Sequence, residues 1–248
     1  MAFRGSIAFL LTLGIVQSSS HLEAATVEGT VRWEGQDIPV AEPIIPTTDS
    51  WLCEKANLKK RELVVEPRTR GIRWAALWLE PLNKAALPPK PAQTHQVTLD
   101  NKRCAFEPHM LIVQPGATLN LTNSDPLLHN AHLLPHASQH GKGGDSFNIA
   151  LLPKDKGRKK KVEDRGVYSV SCDVHTWMKA WVVVQPHQGS TITDSNGEFR
   201  FTGIAPGSYI LHLWHETLGT RKKEIAVDHK GLSKLQFNLK SPSPAAEK

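Results

Sequence analysis

The chain has 248 residues, a hydrophobic fraction of 40%, a charged fraction of 22% and a formal net charge of +6. This is the composition of an ordinary soluble globular protein, long enough for one large or two small domains with real cores. After the first residues no segment is apolar enough to cross a membrane, which excludes a membrane-spanning protein.

In chain order, Arg4 followed by the short apolar run Ile7 to Val16 reads as an export signal. Small residues at Ser18 to Ser20 and at Ala24-Ala25 offer cleavage positions. The mature chain is therefore expected outside the cytoplasm, periplasmic or extracellular. Val27, Gly29, Val31 and Trp33 alternate with polar residues, as in a half-buried strand. Leu63 to Val65 and Trp74 to Leu79 are further strand candidates, and Pro88 to Pro91 mark a connection. Met110 to Val113, Thr118 to Thr122, Asn130 to Leu134 and Phe147 to Leu152 continue the β pattern, with a polar, glycine-rich loop over 136–144. Much of the positive charge lies between Lys154 and Lys161, which reads as a solvated loop able to steer an acidic partner. With no aromatic residues interleaved, it does not suggest nucleic-acid binding. Val167 to Cys172 and Ala180 to Val184 flank a tight loop. Thr191 to Thr193 and Glu198 to Thr202 bracket Asp194-Ser195-Asn196-Gly197, a hairpin signal. Ser208 to Trp214, Glu224 to Val227 and Leu235 to Leu239 complete the strands, and 242–248 reads as a disordered tail. No helix longer than a turn or two is expected.

The chain contains three cysteines. Exported proteins tend to pair their thiols, and an odd cysteine calls for another role such as metal ligation. Cys53 and Cys104 are expected to form a disulfide, leaving Cys172. That residue opens Cys172-Asp173-Val174-His175-Thr176-Trp177-Met178, which spaces a thiolate, an imidazole and a thioether three residues apart. Soft sulfur ligands suit copper, and a trigonal His₂Cys site with a long axial Met needs one more histidine. His129, in a loop between two strands, is the candidate.

The segment from about Cys104 to Val184 resembles the cupredoxin family, specifically amicyanin and plastocyanin. The residues that carry the resemblance are His129-Asn130, the Cys172, His175, Met178 loop, and Gln114-Pro115-Gly116-Ala117-Thr118-Leu119 with Asn123. The whole chain further resembles exported methylamine-utilisation-like proteins, which append a carboxypeptidase-regulatory-like β-sandwich. Thr193 to Phe199 and Ile204 to Tyr209 carry that second likeness. The resemblance implies an all-β, Greek-key cupredoxin sandwich with one mononuclear type 1 copper held by His129, Cys172, His175 and Met178. Asn130 would bond across the two ligand loops, and His175 would be the more exposed ligand through which electrons leave.

The expected organisation is a signal peptide over 1–25, an N-terminal β region over 26–100, a copper domain over 101–186, a small β-sandwich over 187–241 and the tail. A redox protein, such as a cytochrome or dehydrogenase, is the expected partner. Catalysis is not expected, because four protein ligands leave no open position. Rival readings are a carbohydrate-binding-like scaffold and a periplasmic copper carrier using the same ligands. His109 and His132 read as strand or surface histidines rather than extra ligands, and Trp214-His215-Glu216 as ordinary strand alternation. Trp177 is placed to border the site.

Overall fold

The computed structural model describes residues 25–82, 96–136, 144–185 and 189–241. The apolar run read as an export signal, the Pro88 to Pro91 connection, the centre of the glycine-rich loop and the C-terminal tail lie outside these residues. The chain is all-β: sixteen strands accompany a four-residue α-helix, Ser50–Cys53, and a three-residue 3-10 turn, Glu54–Ala56, among the described residues. No helix among them is long and apolar enough to cross a membrane.

Two sandwiches form. In the first, β1 (Ala25–Trp33) lies between β13 (Glu198–Ile204) and β16 (Leu232–Leu239). The facing sheet runs β12 (Ser190–Ile192), β2 (Ala76–Pro81), β14 (Gly207–His215), β15 (Gly219–Val227). Val27, Val31, Leu77, Leu79, Leu211, Leu213, Phe199 and Phe237 fill the space between them. In the second, a five-stranded sheet runs β5 (Met110–Val113), β11 (Lys179–Val184), β10 (Gly166–Ser171), β7 (His129–Pro135), β8 (Phe147–Leu151). It covers a four-stranded sheet of β4 (Ala105–Glu107), β3 (Gln96–Lys102), β6 (Ala117–Asn123) and β9 (Arg158–Val162).

The alternation of side chains in strands β2, β11 and β14 joins the two sandwiches. In β11, Ala180, Val182 and Val184 face the second core, whereas Trp181 and Val183 turn outward. There they meet Ala76 and Trp78 of β2 and Trp214 of β14, whose alternate residues Leu77, Leu79, Leu211 and Leu213 fill the first core. Strands buried on both faces read as continuous apolar runs, and Trp181-Val182-Val183-Val184 is one.

Several expectations are corrected. The strands of 26–100 and 187–241 do not form consecutive units, since β1 pairs in parallel with β16 from Val27↔Leu232 to Trp33↔Leu239. β2 lies between β12 and β14. The C-terminal strands alone supply too few neighbours to close two sheets, and the N-terminal strands provide the central one of each. The turn over Asp194 to Gly197 forms, with the Glu198 carbonyl accepting from the Asp194 amide at 3.0 Å. Its flanking strands, however, part into different sheets, β12 onto β2 and β13 onto β1. The carbonyl of Gly197 (φ 74°) accepts from the Val31 amide at 2.8 Å, so the turn docks on β1 instead of closing a hairpin. Leu63 to Val65 makes only an isolated bridge, Val65↔Ile72. β3 and β4 were not expected, although Val97 and Leu99 alternate with Gln96, Thr98 and Asp100 as a half-buried strand does. Arg158 to Lys161 form edge strand β9 on β6 rather than a loop.

Candidate metal centre

At one end of the second sandwich, β7 begins with His129 while β10 leads directly into Cys172. Their pairing, Ser171↔His132 and Val170↔Leu133, puts the two loops side by side. The turn from Cys172 to Met178 closes on itself, with the His175 carbonyl accepting from the Met178 amide at 2.9 Å. His129 Nδ1 lies 3.9 Å from Cys172 Sγ, and His175 Nδ1 lies 3.8 Å from it. The two imidazoles are 4.5 Å apart between centroids. The ligand atoms of His129, Cys172 and His175 all lie within 4.8 Å of one another, and all three residues are buried. Met178 is also buried and packs in the same core cluster as Cys172.

The tautomers follow from the outer partners. His129 Nε2 is 3.1 Å from Asp125 Oδ2, and His175 Nε2 is 3.1 Å from Asp49 Oδ2. A carboxylate oxygen accepts, so each Nε2 carries a hydrogen, and each Nδ1 faces the sulfur. Asp125 is itself fixed by the amides of Arg103 and Cys104, at 2.7 and 2.8 Å. Burial pushes the His129 imidazole down, but Asp125 and Cys172 outweigh it and leave its pKa raised. Burial pushes the Cys172 thiol up. Hydrogen bonds from His129, His175 and the Asn130 backbone oppose this and bring the thiol down to about 6.

Asn130 ties the loops together. Its Oδ1 accepts from the Asp173 amide at 2.7 Å and lies 3.3 Å from Cys172 Sγ. Its Nδ2 donates to Asn148 Oδ1 at 2.8 Å and to Asp173 Oδ2 at 2.9 Å. Cys53 and Cys104 form the expected disulfide. Trp177 packs edge-on against His175 and donates from Nε1 to the Cys104 carbonyl at 3.1 Å.

Neither His109 nor His132 joins the cluster. His132 bonds the exposed Asp173 at 3.1 Å. His109 is buried, not a surface residue, and pairs with Glu216 at 2.5 Å between the two sandwiches. His215 is buried with it and the Glu216 side chain is buried against His109 beyond the end of β14, so the reading of these two as ordinary strand alternation is corrected. The larger correction concerns His175, expected to be the exposed ligand. It has 0% relative exposure, because the segment between β1 and β2 lies over its outer edge. Asp49 and Asp125 escaped the sequence reading. Asp125 lies within Asn123-Ser124-Asp125-Pro126, four residues before His129, whereas Asp49 is 126 residues from its partner and carries no local signal.

Comparison with solved structures returns copper proteins. This chain is similar to amicyanin in a reduced Cu(I) form, at 19% identity and a TM-score of 0.32, over 43% of this chain and 98% of that one. It is similar to amicyanin from Paracoccus versutus at 17% identity and a TM-score of 0.30, over 43% and 97%. It is also similar to the Cu-containing nitrite reductase of Thermus scotoductus SA-01, at 21% identity and a TM-score of 0.31, over 43% of this chain and 25% of that one. No family model matches the chain, and no curated protein does.

Proposed function

We propose that this chain is an exported type 1 copper protein that passes single electrons to and from a redox protein partner, with a cupredoxin-like domain holding one copper. The observation that carries this reading is a buried sulfur with two imidazole Nδ1 atoms 3.8 and 3.9 Å from it, delivered by separate loops. A thiolate with two imidazoles is the equatorial donor set of such a site, and Met178, from the same turn as Cys172, is the candidate weak axial ligand. The donors fit copper: the sulfur atoms are soft, and imidazole accepts both oxidation states. Bound copper would supply a one-electron couple between Cu(I) and Cu(II).

The protein's own residues do the rest. Asp125 and Asp49 hold the imidazole rings with Nδ1 inward. Asn130 locks the Cys172 loop to the His129 loop, which limits how far the donors shift between oxidation states. Burial of all three donors keeps water away from the site. Four protein donors leave no position for a substrate, which favours a carrier over an enzyme. Export is supported by the apolar N-terminal run and by the disulfide, since disulfides persist in oxidising compartments.

The test is Cu(II) titration of the purified protein, followed by visible and electron paramagnetic resonance spectroscopy. An intense thiolate-to-copper band at one equivalent, lost in Cys172→Ser, is expected. A folded protein that binds no Cu(II), or a band that survives Cys172→Ser, would refute the assignment.

A further inference from the structure

Between Trp33 and Ala76 the chain serves both sandwiches: Ile38, Leu63, Val65, Ile72 and Ala75 pack into the first core, whereas the part from Glu42 to Arg61 is fastened to the end of the second sandwich at several points. Cys53 is bonded to Cys104 in the β3–β4 turn. Arg61 donates to both carboxylate oxygens of Glu107, at 3.0 and 3.3 Å, and to the Phe106 carbonyl at 3.2 Å. Arg103 reaches the Ala56 carbonyl at 3.4 Å. Leu52 and Leu58 pack with Leu127 and Trp177 around the disulfide. Within the stretch, Lys60 pairs with Glu42, and the Leu58 carbonyl accepts from the Ile44 amide at 2.9 Å. All these anchors surround one polar contact, the Asp49 carboxylate on His175 Nε2. Asp49 sits at φ 49° just before the Ser50–Cys53 helix, so the backbone there takes a left-handed turn that aims its side chain at the ring.

We infer that residues 42–61 are a fixed cover over the metal centre, and that Asp49 is a positioning residue which holds His175 and closes its outer edge. This rests on the electron-carrier reading and deepens it: electrons do not pass through the His175 edge, and a partner must approach another face. An exposed charged group beside the sulfur is Asp173. It follows Cys172 directly, is 52% exposed at its side chain, and is held by Asn130, Asn148 and His132.

Two measurements test the cover, one without metal and one with it. In the metal-free protein, diethyl pyrocarbonate modification is followed peptide by peptide. His175 is expected to react at least tenfold more slowly than His132, and Asp49→Ala should remove most of that protection. Asp49→Asn retains an acceptor oxygen and should keep the protection. In the copper-loaded protein, Asp49→Ala should speed electron self-exchange at least tenfold with the visible band retained, and Asp49→Asn should raise the reduction potential without speeding exchange. A wild-type His175 as reactive as His132, or an Asp49→Ala variant unchanged in both reactivity and self-exchange, would overturn the inference. A protected His175 in a protein that never develops the copper band would leave the cover standing and overturn the electron-carrier reading instead.

Discussion

The Asn130 side chain accepts the backbone N–H of Asp173 at 2.7 Å, and this contact bridges the two loops that carry the sulfur and the first imidazole. Because Asn130 follows His129 and Asp173 follows Cys172, one amide sets the spacing of both donors. Asn130→Ala breaks this bond and leaves the Asp173 amide without its acceptor, beside the loss of two donor bonds. A net hydrogen bond contributes about 0.5–1.5 kcal/mol, and three are lost. The expected outcome is a metal-free protein destabilised by about 2 kcal/mol in urea unfolding, and a copper band that is weaker and shifted in wavelength.

The disulfide joins residues 51 apart, and the chain-entropy model assigns about 4 kcal/mol to closing such a loop. Cys53→Ala with Cys104→Ala should therefore lower the urea midpoint markedly. If 42–61 is a separate cover, the loss is uneven: amide exchange speeds first in 49–61, while β10 and β11 keep their protection. Uniform loss of protection across both sandwiches would contradict that ordering.

The donors of the proposed site were legible because three of them sit within seven residues, a spacing that chemistry alone makes conspicuous. Most strand positions were legible too, since the alternation in Val27 to Trp33 or Ser208 to Trp214 is local. Pairing was not. Nothing near Val27 indicates that it will lie beside Leu232, and nothing in Asp194 to Gly197 says that its flanking strands enter different sheets. The burial of His175 was invisible for the same reason, because it depends on Asp49 arriving from the far side of β2 through β10 in the chain. Long-range hydrogen bonds leave no periodic trace in a sequence.

Strand β9 pairs only with β6 and forms the edge of its sheet. Its Arg158, Lys159, Lys160 and Lys161 are all exposed. A charged edge resists pairing with a second chain, which is one purpose such lysines serve. Replacing Lys159 and Lys161 by Thr should change the unfolding free energy by no more than about 0.5 kcal/mol yet promote concentration-dependent association, read by sedimentation velocity. The same variant should weaken the ionic-strength dependence of electron transfer with an acidic partner.

In the metal-free protein, Cys172 should titrate near pH 6, against about 8.5 in the unfolded chain. Ultraviolet absorbance of the thiolate measures this directly, with Cys172→Ser as the blank. Between these two values the folded state binds fewer protons, so this group's contribution to stability grows with rising pH and is lost as pH falls through 6. A midpoint that remains near 8.5 in the folded protein would mean that the imidazoles do not face the sulfur.

His215 gives a stability signal that is independent of any metal. It is 1% exposed, and burial, its largest influence, holds it down at about 4, helped by the neighbouring His109 and opposed by a hydrogen bond to the Arg73 backbone. Its Nδ1 accepts from the Thr217 amide at 3.2 Å, which requires the uncharged ring. In the unfolded chain the same imidazole protonates near 6.5. The unfolded state therefore takes up the extra proton as pH falls below 6.5, and the native state loses stability down to about pH 4, by roughly 3 kcal/mol in total. His215→Gln keeps a polar group of similar size without that titration. Urea unfolding at pH 7.0 and 5.0 should show a smaller acid loss in the variant, by roughly 2 kcal/mol, since 1.5 pH units at 1.36 kcal/mol each separate 6.5 from 5.0. Equal acid sensitivity in both proteins would mean that His215 is charged in the fold, and that the interface between the two sandwiches accommodates its charge beside Glu216.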